Sequence, residues 1–220
     1  MVEEYVDGDE LFADGVVADG QVRFVSVSRY AQNCLDAVRS HAPVRTTCLD
    51  PTADKWAYDA AEPLVVAALS TLGLTDGVFH LEFFHRPATG EVVFSECAAR
   101  RGGGPIADQI RYKFGVDLAA YCLRAALGDV GEITPTVRDG VVASTFLPLG
   151  ARLQGAASNT FGRIGEIIVH TDTDGHATRR LDEVSAWFAG QMTVLPLSPT
   201  FHELWTGPLN TAFADHAGVA

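Results

Sequence analysis

The sequence is poor in lysine and rich in acidic residues. Of its 16 basic residues 14 are arginine, and the two lysines are Lys55 and Lys113. This chain alone therefore lacks the lysines that a mechanism with several of them around a polyphosphate would need. The 28 acidic residues give a net charge of −12, which argues against nonspecific binding to nucleic acid or to an anionic membrane, because both need a cationic protein surface.

Long apolar runs and paired cysteines are also absent. No apolar run approaches the roughly 18 residues of a membrane-spanning helix, and MVEEYVDGDEL at the N-terminus does not have the pattern of a secretory signal. The four cysteines are scattered without a CxxC pair, so we expect a reducing, cytoplasmic setting. They are Cys34, Cys48, Cys97 and Cys122.

The common catalytic signatures are missing as well. The sequence contains no GxSxG, HExxH, Walker A or Rossmann fingerprint, and its 7 histidines, His80 included, fall in no metal-ligand spacing. What remains is an ordinary globular composition of 220 residues, 47% hydrophobic and 20% charged, enough for one domain or two small ones.

Turn residues and apolar periodicity divide the chain into elements. Apolar runs on either side of Asp19-Gly20 predict a β-hairpin within the first 30 residues. A four-residue apolar spacing that ends at Gly73 predicts a helix over about 53–72, with a kink or later start at Pro63. Residues 31–52, which include Pro43 and Pro51, show no periodicity and predict a loop.

The second half of the pattern is less regular. Residues 77–99 predict another hairpin with its turn at 87–90, and a helical stretch up to 128 divides at Gly115. We place a boundary near residue 128, between a region of 1–128 and a β-rich region of 129–220. The latter contains strand-like runs and a helix-like end, at 139–147, 163–170, 191–197 and 199–216.

Paired carboxylates in the second hairpin are the first candidate site. The two-residue period of a strand places His80, Glu82 and Phe84 on one face, and a turn near 88–90 brings Glu96 beside Glu82. Two adjacent carboxylates repel unless a cation lies between them, and oxygen ligands suit Mg²⁺ when phosphates fill its other positions. The alternative is that these glutamates simply face solvent.

Two weaker candidates flank this hairpin. Arg100 and Arg101 precede a triple-glycine turn and a helix, an arrangement that suits an anion but is more often only a tight connection. The N-terminal stretch contains Glu3, Val6 and Glu10, which alone indicate nothing beyond an acidic entry into a strand.

Together and in order, these stretches resemble the C-terminal half of the ATP-grasp superfamily, in the branch of the L-amino-acid ligases and biotin carboxylases. The resemblance covers about residues 1–128. Four blocks carry it, VEEYVDGDE (2–10), GVFHLEFF (77–84), FSECAARRGGG (94–104) and GVDLAAYCLRAALG (115–128).

The resemblance implies a role for each candidate residue. Glu3 and Val6 would meet the adenine edge, Glu10 would accept from the ribose hydroxyls, and Phe84 would pack against the adenine ring. Glu82 and Glu96 would bind Mg²⁺, or alternatively Mn²⁺, at the ATP phosphates. Arg100 would stabilise the transferred phosphoryl group. The position where many members have an asparagine metal ligand is Ala98 here, as in some amino-acid ligases.

The resemblance also implies an α+β fold, with an antiparallel sheet backed by helices, and one wall of a cleft with exposed apolar surface near Phe84. The lobe that bears the phosphate-binding lysines in this superfamily has no counterpart before Glu3. We therefore expect half of a carboxylate–amine ligase that acts through an acyl phosphate and is inactive alone, completed by a separate chain or by a longer form. A biotin-carboxylase-like enzyme and a non-catalytic interaction module are the alternatives.

Overall fold

The computed structural model describes residues 4–40, 42–148 and 163–191. A seven-stranded antiparallel sheet organises these residues, in the strand order β5-β4-β1-β2-β3-β6-β7. The strands are β1 (Asp9–Ala18), β2 (Gln21–Tyr30), β3 (Arg45–Cys48), β4 (Gly77–Arg86), β5 (Glu91–Ala98), β6 (Val141–Pro148) and β7 (Arg163–Thr171). The helices are α1 (Cys34–Ser40), α2 (Lys55–Leu72), α3 (Ile106–Phe114), α4 (Leu118–Ala126) and α5 (Asp174–Gln191). The predicted α+β class is confirmed.

Both predicted hairpins are confirmed. Asp19 and Gly20 have φ values of 54° and 70°, the left-handed pair that a two-residue turn between β1 and β2 requires. The β4–β5 hairpin closes through the four residues 87–90, where Gly90 N–H donates to the carbonyl of Arg86 at 2.8 Å. This second turn fixes the register of the two strands that carry the candidate glutamates.

Helices cover the sheet on both faces. The face covered by α3 and α4, which we call the site face, buries Phe12, Ile110 and Leu118. On the opposite face α2 and α5 pack against separate apolar clusters. The buried side of α2 is Ala57, Ala61, Val65 and Leu69, one position later than the predicted stripe, and the helix runs through Pro63.

Three elements differ from the predictions. The predicted loop 31–52 contains α1 and β3, and the region after 128 contains the 18-residue helix α5. Strand β6 pairs with β3 and β7 pairs with β6, so both continue the same sheet, although the boundary near 128 stays a prediction. The predicted strand over 191–197, apart from Gln191 at the end of α5, and the predicted helix over 199–216 lie outside the described residues.

Candidate functional site

The site face of β1, β4 and β5 brings together most of the predicted site residues. Glu82 and Glu96 lie directly opposite each other in the β4–β5 pair, as the hairpin predicts. Phe84 lies opposite Glu10 in the β1–β4 pair and so shares their face. The register shifts next to Glu82, so that Ser95 of β5 is skipped, a β-bulge of the kind that often lies beside functional sites.

A cavity of about 330 Å³ opens on this face beside the bulge. Val6, Glu10 and Phe84, three of the four residues predicted to contact a nucleotide, line it together with Ser95. The fourth, Glu3, lies outside the described residues. The structure therefore gathers the described members of the predicted nucleotide site into one cavity.

The rim of this cavity carries exposed apolar surface. Tyr5 and Leu35, both lining residues, are 66% and 48% exposed. Phe84 itself is half-buried and lines the cavity together with Glu10 and Ser95. An apolar wall open to solvent near Phe84 and the N-terminal strand matches the sequence-based expectation.

Glu10 is buried and lines the cavity. Its carboxylate oxygen Oε2 accepts a hydrogen bond from the Cys34 N–H at 2.6 Å, and its own N–H donates to Asn33 Oδ1 at 3.0 Å. Burial raises its pKa, and the negative charges of Glu82 and Glu96 add to that rise, while the Cys34 N–H opposes it. The hydrogen bond from α1 uses one of the two carboxylate oxygens, Oε2.

Glu82 is held from two sides through a single oxygen. Its Oε1 accepts a hydrogen bond from the Tyr30 hydroxyl at 2.7 Å and faces His80 Nε2 at 3.1 Å. Burial favours the neutral acid, but these hydrogen bonds and the charges of His80 and Arg100 outweigh it and lower the pKa of Glu82. The carboxylate is therefore ionised at neutral pH, the state that a metal ligand requires.

A buried pair that the sequence did not predict lies behind Glu82. His80 Nδ1 lies 3.1 Å from Asp14 Oδ2, and both side chains are almost fully buried, with 3% and 0% exposed. Burial opposes protonation of the imidazole, but the hydrogen bonds and charges of Asp14 and Glu82 raise its pKa to about 9. Both ring nitrogens thus carry protons at neutral pH, and each donates to a carboxylate.

The loop between β5 and α3 carries Arg100 and the three glycines. Arg100 is exposed, and its Nη1 donates to the carbonyl of Arg101 at 3.0 Å. The N–H of Gly102 is buried and donates to Asp14 Oδ1 at 2.8 Å, so this amide binds a carboxylate of the protein. Arg100 is therefore exposed to a ligand, whereas the N–H of one of the three glycines already donates to Asp14.

Neither lysine reaches this site. Lys113 is completely buried in α3 and forms an ion pair with Asp50 at 2.6 Å. Lys55 forms an exposed ion pair with Asp59 one turn along α2, on the opposite face of the sheet. The cations available to phosphates on the site face are therefore arginines, as the composition indicates.

The paired glutamates can supply two of the oxygen ligands of magnesium, and water or phosphate oxygens would fill its other positions. Among the described residues, no group of three or more His, Cys, Asp and Glu side chains has a geometry that could hold a metal ion. Glu82 and Glu96 supply two oxygen donors in register, and Mg²⁺ is commonly bound by one or two carboxylates plus substrate phosphates and water. Two carboxylates beside a cavity that gathers the residues predicted to contact a nucleotide fit that mode of binding.

Similarity to known proteins agrees with this geometry. No protein-family profile matches the chain. The L-amino acid ligase of Bacillus licheniformis matches 83% of this chain and 53% of its own at a TM-score of 0.60 and 15% identity. A carboxyaminoimidazole ribonucleotide synthase from Aspergillus clavatus, solved with ATP, matches 84% of this chain and 52% of its own at a TM-score of 0.59 and 16% identity. The predicted fold resemblance to the C-terminal half of ATP-grasp enzymes is confirmed.

At the level of sequence, the chain is similar to a particular kind of ligase. It is 28% identical over 148 residues to the L-arginine-specific L-amino acid ligase of Bacillus subtilis, a match that covers 67% of this chain and 35% of that protein. The chain thus spans about a third of this curated relative and about half of the solved structures. None of the described helices is both long enough and apolar enough to cross a membrane.

Proposed function

We propose that this chain is the ATP- and Mg²⁺-binding half of an ATP-grasp carboxylate–amine ligase. The observation that carries the proposal is the site face itself, where a nucleotide-sized cavity lined by Val6, Glu10 and Phe84 adjoins two carboxylates in register, Glu82 and Glu96. The similarity to L-amino acid ligases in sequence and fold supports the same class.

In this proposal the chain binds and orients the nucleotide. The adenine lies against Phe84 and the segment around Val6, and Glu10 Oε1 accepts from the ribose hydroxyls. Glu82 and Glu96 would hold Mg²⁺, which would neutralise charge on the phosphates and polarise the group being transferred.

Arg100 is the proposed catalytic residue. Its exposed guanidinium lies close enough to the carboxylates for its charge to favour the ionised form of Glu82, so it can also meet the transferred phosphoryl group. A substrate carboxylate attacks the γ-phosphorus, ADP leaves, and the amine then displaces phosphate from the acyl phosphate to give an amide. The substrates are a small carboxylic acid and an amine.

The lysine-bearing lobe is the second part of the proposal. Lys55 and Lys113 are both engaged in ion pairs away from the site, so phosphate-binding lysines must come from sequence beyond this chain or from a separate chain. We expect the 220-residue chain to bind ATP weakly and to be inactive alone.

The test is calorimetric titration of ATP with Mg²⁺ into this chain and into a form extended upstream in its genomic context. We expect tight binding by the extended form alone, abolished by Glu82→Ala. Equal affinity of the two forms would refute the prediction that a lysine-bearing lobe is missing from this chain. Binding by neither form would favour the non-catalytic interaction module. A bicarbonate-dependent ATPase activity of the extended form would instead favour the biotin-carboxylase-like alternative.

A further inference from the structure

One buried carboxylate connects the two functional parts of the site face. Asp14 lies in the middle of β1 and is completely buried. Its Oδ1 accepts from the N–H of Gly102, and its Oδ2 faces His80 Nδ1 at 3.1 Å. The opposite ring nitrogen of His80 faces Glu82. The chain of hydrogen bonds therefore runs from the loop after β5, through β1, to the carboxylate on β4.

The hydrogen bonds at Glu82 indicate which of its two carboxylate oxygens remains for a ligand. Within the described residues, the hydrogen bonds to the Glu82 carboxylate come from Tyr30 and His80, and both go to Oε1. Two donors on one oxygen fix the rotation of the carboxylate and leave Oε2 as the oxygen for a ligand. Partners behind metal ligands commonly set orientation in this way, and their loss costs about 10- to 100-fold in metal affinity.

The side chains of Asp14 and His80 are tightly packed against their neighbours. A Cβ atom on Gly102 would lie 2.8 Å from Asp14 Oδ1 and 3.1 Å from His80 Nδ1. The ring of His80 also packs against Phe12, with centroids 5.4 Å apart. The imidazole is therefore held in place by Asp14 on one edge and by an aromatic ring on one side.

We propose that His80 is a positioning residue that aims the Glu82 carboxylate at the metal, and that Asp14 anchors its ring and ties the Arg100 loop to the same point. This inference rests on the proposed function, because it presupposes that Glu82 is a metal ligand. It assigns a role to two buried side chains on separate strands.

Paired variants at each position test the proposal. Asparagine at position 80 can reproduce the donor that faces Asp14, whereas glutamine can reproduce the donor that faces Glu82. His80→Asn should weaken Mn²⁺ binding about 10- to 100-fold, and His80→Gln should stay within about fivefold of the unaltered chain. At position 14 an asparagine amide keeps one acceptor for two donors, the Gly102 N–H and His80 Nδ1–H, so Asp14→Asn and Asp14→Ala should both weaken Mn²⁺ binding.

The measurement is a titration of the 220-residue chain with Mn²⁺ alone, followed by the electron paramagnetic resonance signal of free Mn²⁺. Urea unfolding without metal is measured in parallel, because a merely structural role would lower stability in the His80→Asn and His80→Gln variants without separating their Mn²⁺ affinities. Equal affinity of these two variants would overturn the proposal, and so would a His80→Asn variant that binds like the unaltered chain.

A third variant separates this inference from the proposed function. If Glu82→Gln abolishes Mn²⁺ binding while His80→Asn leaves it unchanged, the metal site stands and the positioning role is wrong. If the unaltered chain binds no Mn²⁺, or if Glu82→Gln binds Mn²⁺ with the same affinity as the unaltered chain, the proposed metal site is wrong. The positioning role is then wrong as well.

Discussion

At the scale of a single residue, Phe84 offers the sharpest test of the proposed nucleotide cavity. Stacking of a base on an aromatic side chain contributes about 1–3 kcal/mol, so Phe84→Ala should weaken binding of a fluorescent ADP analogue roughly 5- to 150-fold. The matched control is Phe94→Ala, because Phe94 lies opposite Phe83 on the other face and does not line the cavity. Equal losses in the two variants would contradict the assignment.

Side chains on the hairpin strands could be placed from the sequence, but their buried partners could not. The two-residue strand period and the turn at 87–90 suffice to put Glu82 beside Glu96. The sequence contains two signals of the buried pair. Asp14 interrupts an apolar run, and His80 lies on the same strand face as Glu82. Their contact joins residues 66 positions apart and depends on β1 pairing with β4, which no local pattern predicts.

The loop between β5 and α3 belongs to the scale of elements. A Cβ atom on Gly102 would meet Asp14 Oδ1 and Ile106 Cγ2, each at 2.8 Å, whereas one on Gly103 would meet nothing within 4 Å. Gly102→Ala should therefore lower the free energy of unfolding by about 1–3 kcal/mol, as overpacking does, and Gly103→Ala should change it far less. Urea denaturation measures both. Equal stability of the two variants would contradict the close approach of this loop to β1.

The two lysines provide a second prediction about elements. Lys113 joins α3 to Asp50 after β3 and to the carbonyls of Arg138 and Gly140 before β6. Removing one partner of a buried ion pair costs about 3–5 kcal/mol, so Lys113→Met should lower the free energy of unfolding by that amount at pH 7. Lys55→Met, which removes an exposed pair, should cost less than about 1 kcal/mol.

The cost of Lys113→Met should also depend on pH. Burial opposes ionisation of Asp50, but the hydrogen bond from Lys113 and the N–H groups of Ala53 and Thr52 lower its pKa below the ordinary value. A group whose pKa is lowered by folding stabilises above its unfolded pKa of about 3.9 and loses that contribution as the pH falls through its folded value. The difference in free energy of unfolding between the unaltered chain and Lys113→Met, measured with urea, should thus become smaller below about pH 4. A difference that is constant with pH would contradict the role of Asp50.

Elements with strong turn chemistry were predictable and short or weakly patterned ones were not. Asp19-Gly20, Gly73 and Gly115 each end an element where the sequence indicates it. In contrast, α1 has seven residues and only Ala37 buried, and β3 has four residues. Helix α5 buries only Ala177 and Leu181, because most of its surface faces away from β6 and β7. Such elements form through tertiary packing, and the sequence contains little local sign of them.

At the scale of the whole molecule, charge sets the condition for nucleotide binding. A chain with a net charge of −12 repels an anionic nucleotide, and its two lysines are engaged elsewhere. In the proposed function, the attraction on the site face comes from Arg100 and from a divalent cation held by the paired glutamates. Binding of ADP should therefore depend steeply on Mg²⁺.

Thermal unfolding of the whole chain measures that dependence. At about 100 times its Kd a ligand stabilises the folded state by about 2.7 kcal/mol, which corresponds to a rise in Tm of about 5–11 °C for a chain of this length. We expect this rise with Mg²⁺ and ADP, and its loss with EDTA or in Glu82→Gln. Glu91→Gln is the matched control, because Glu91 lies on the partner strand β5 in the same hairpin but pairs with Arg86 beside the turn. A rise that survives EDTA would show that ADP binds without the glutamate pair, since the paired carboxylates attract the phosphates only through the cation between them.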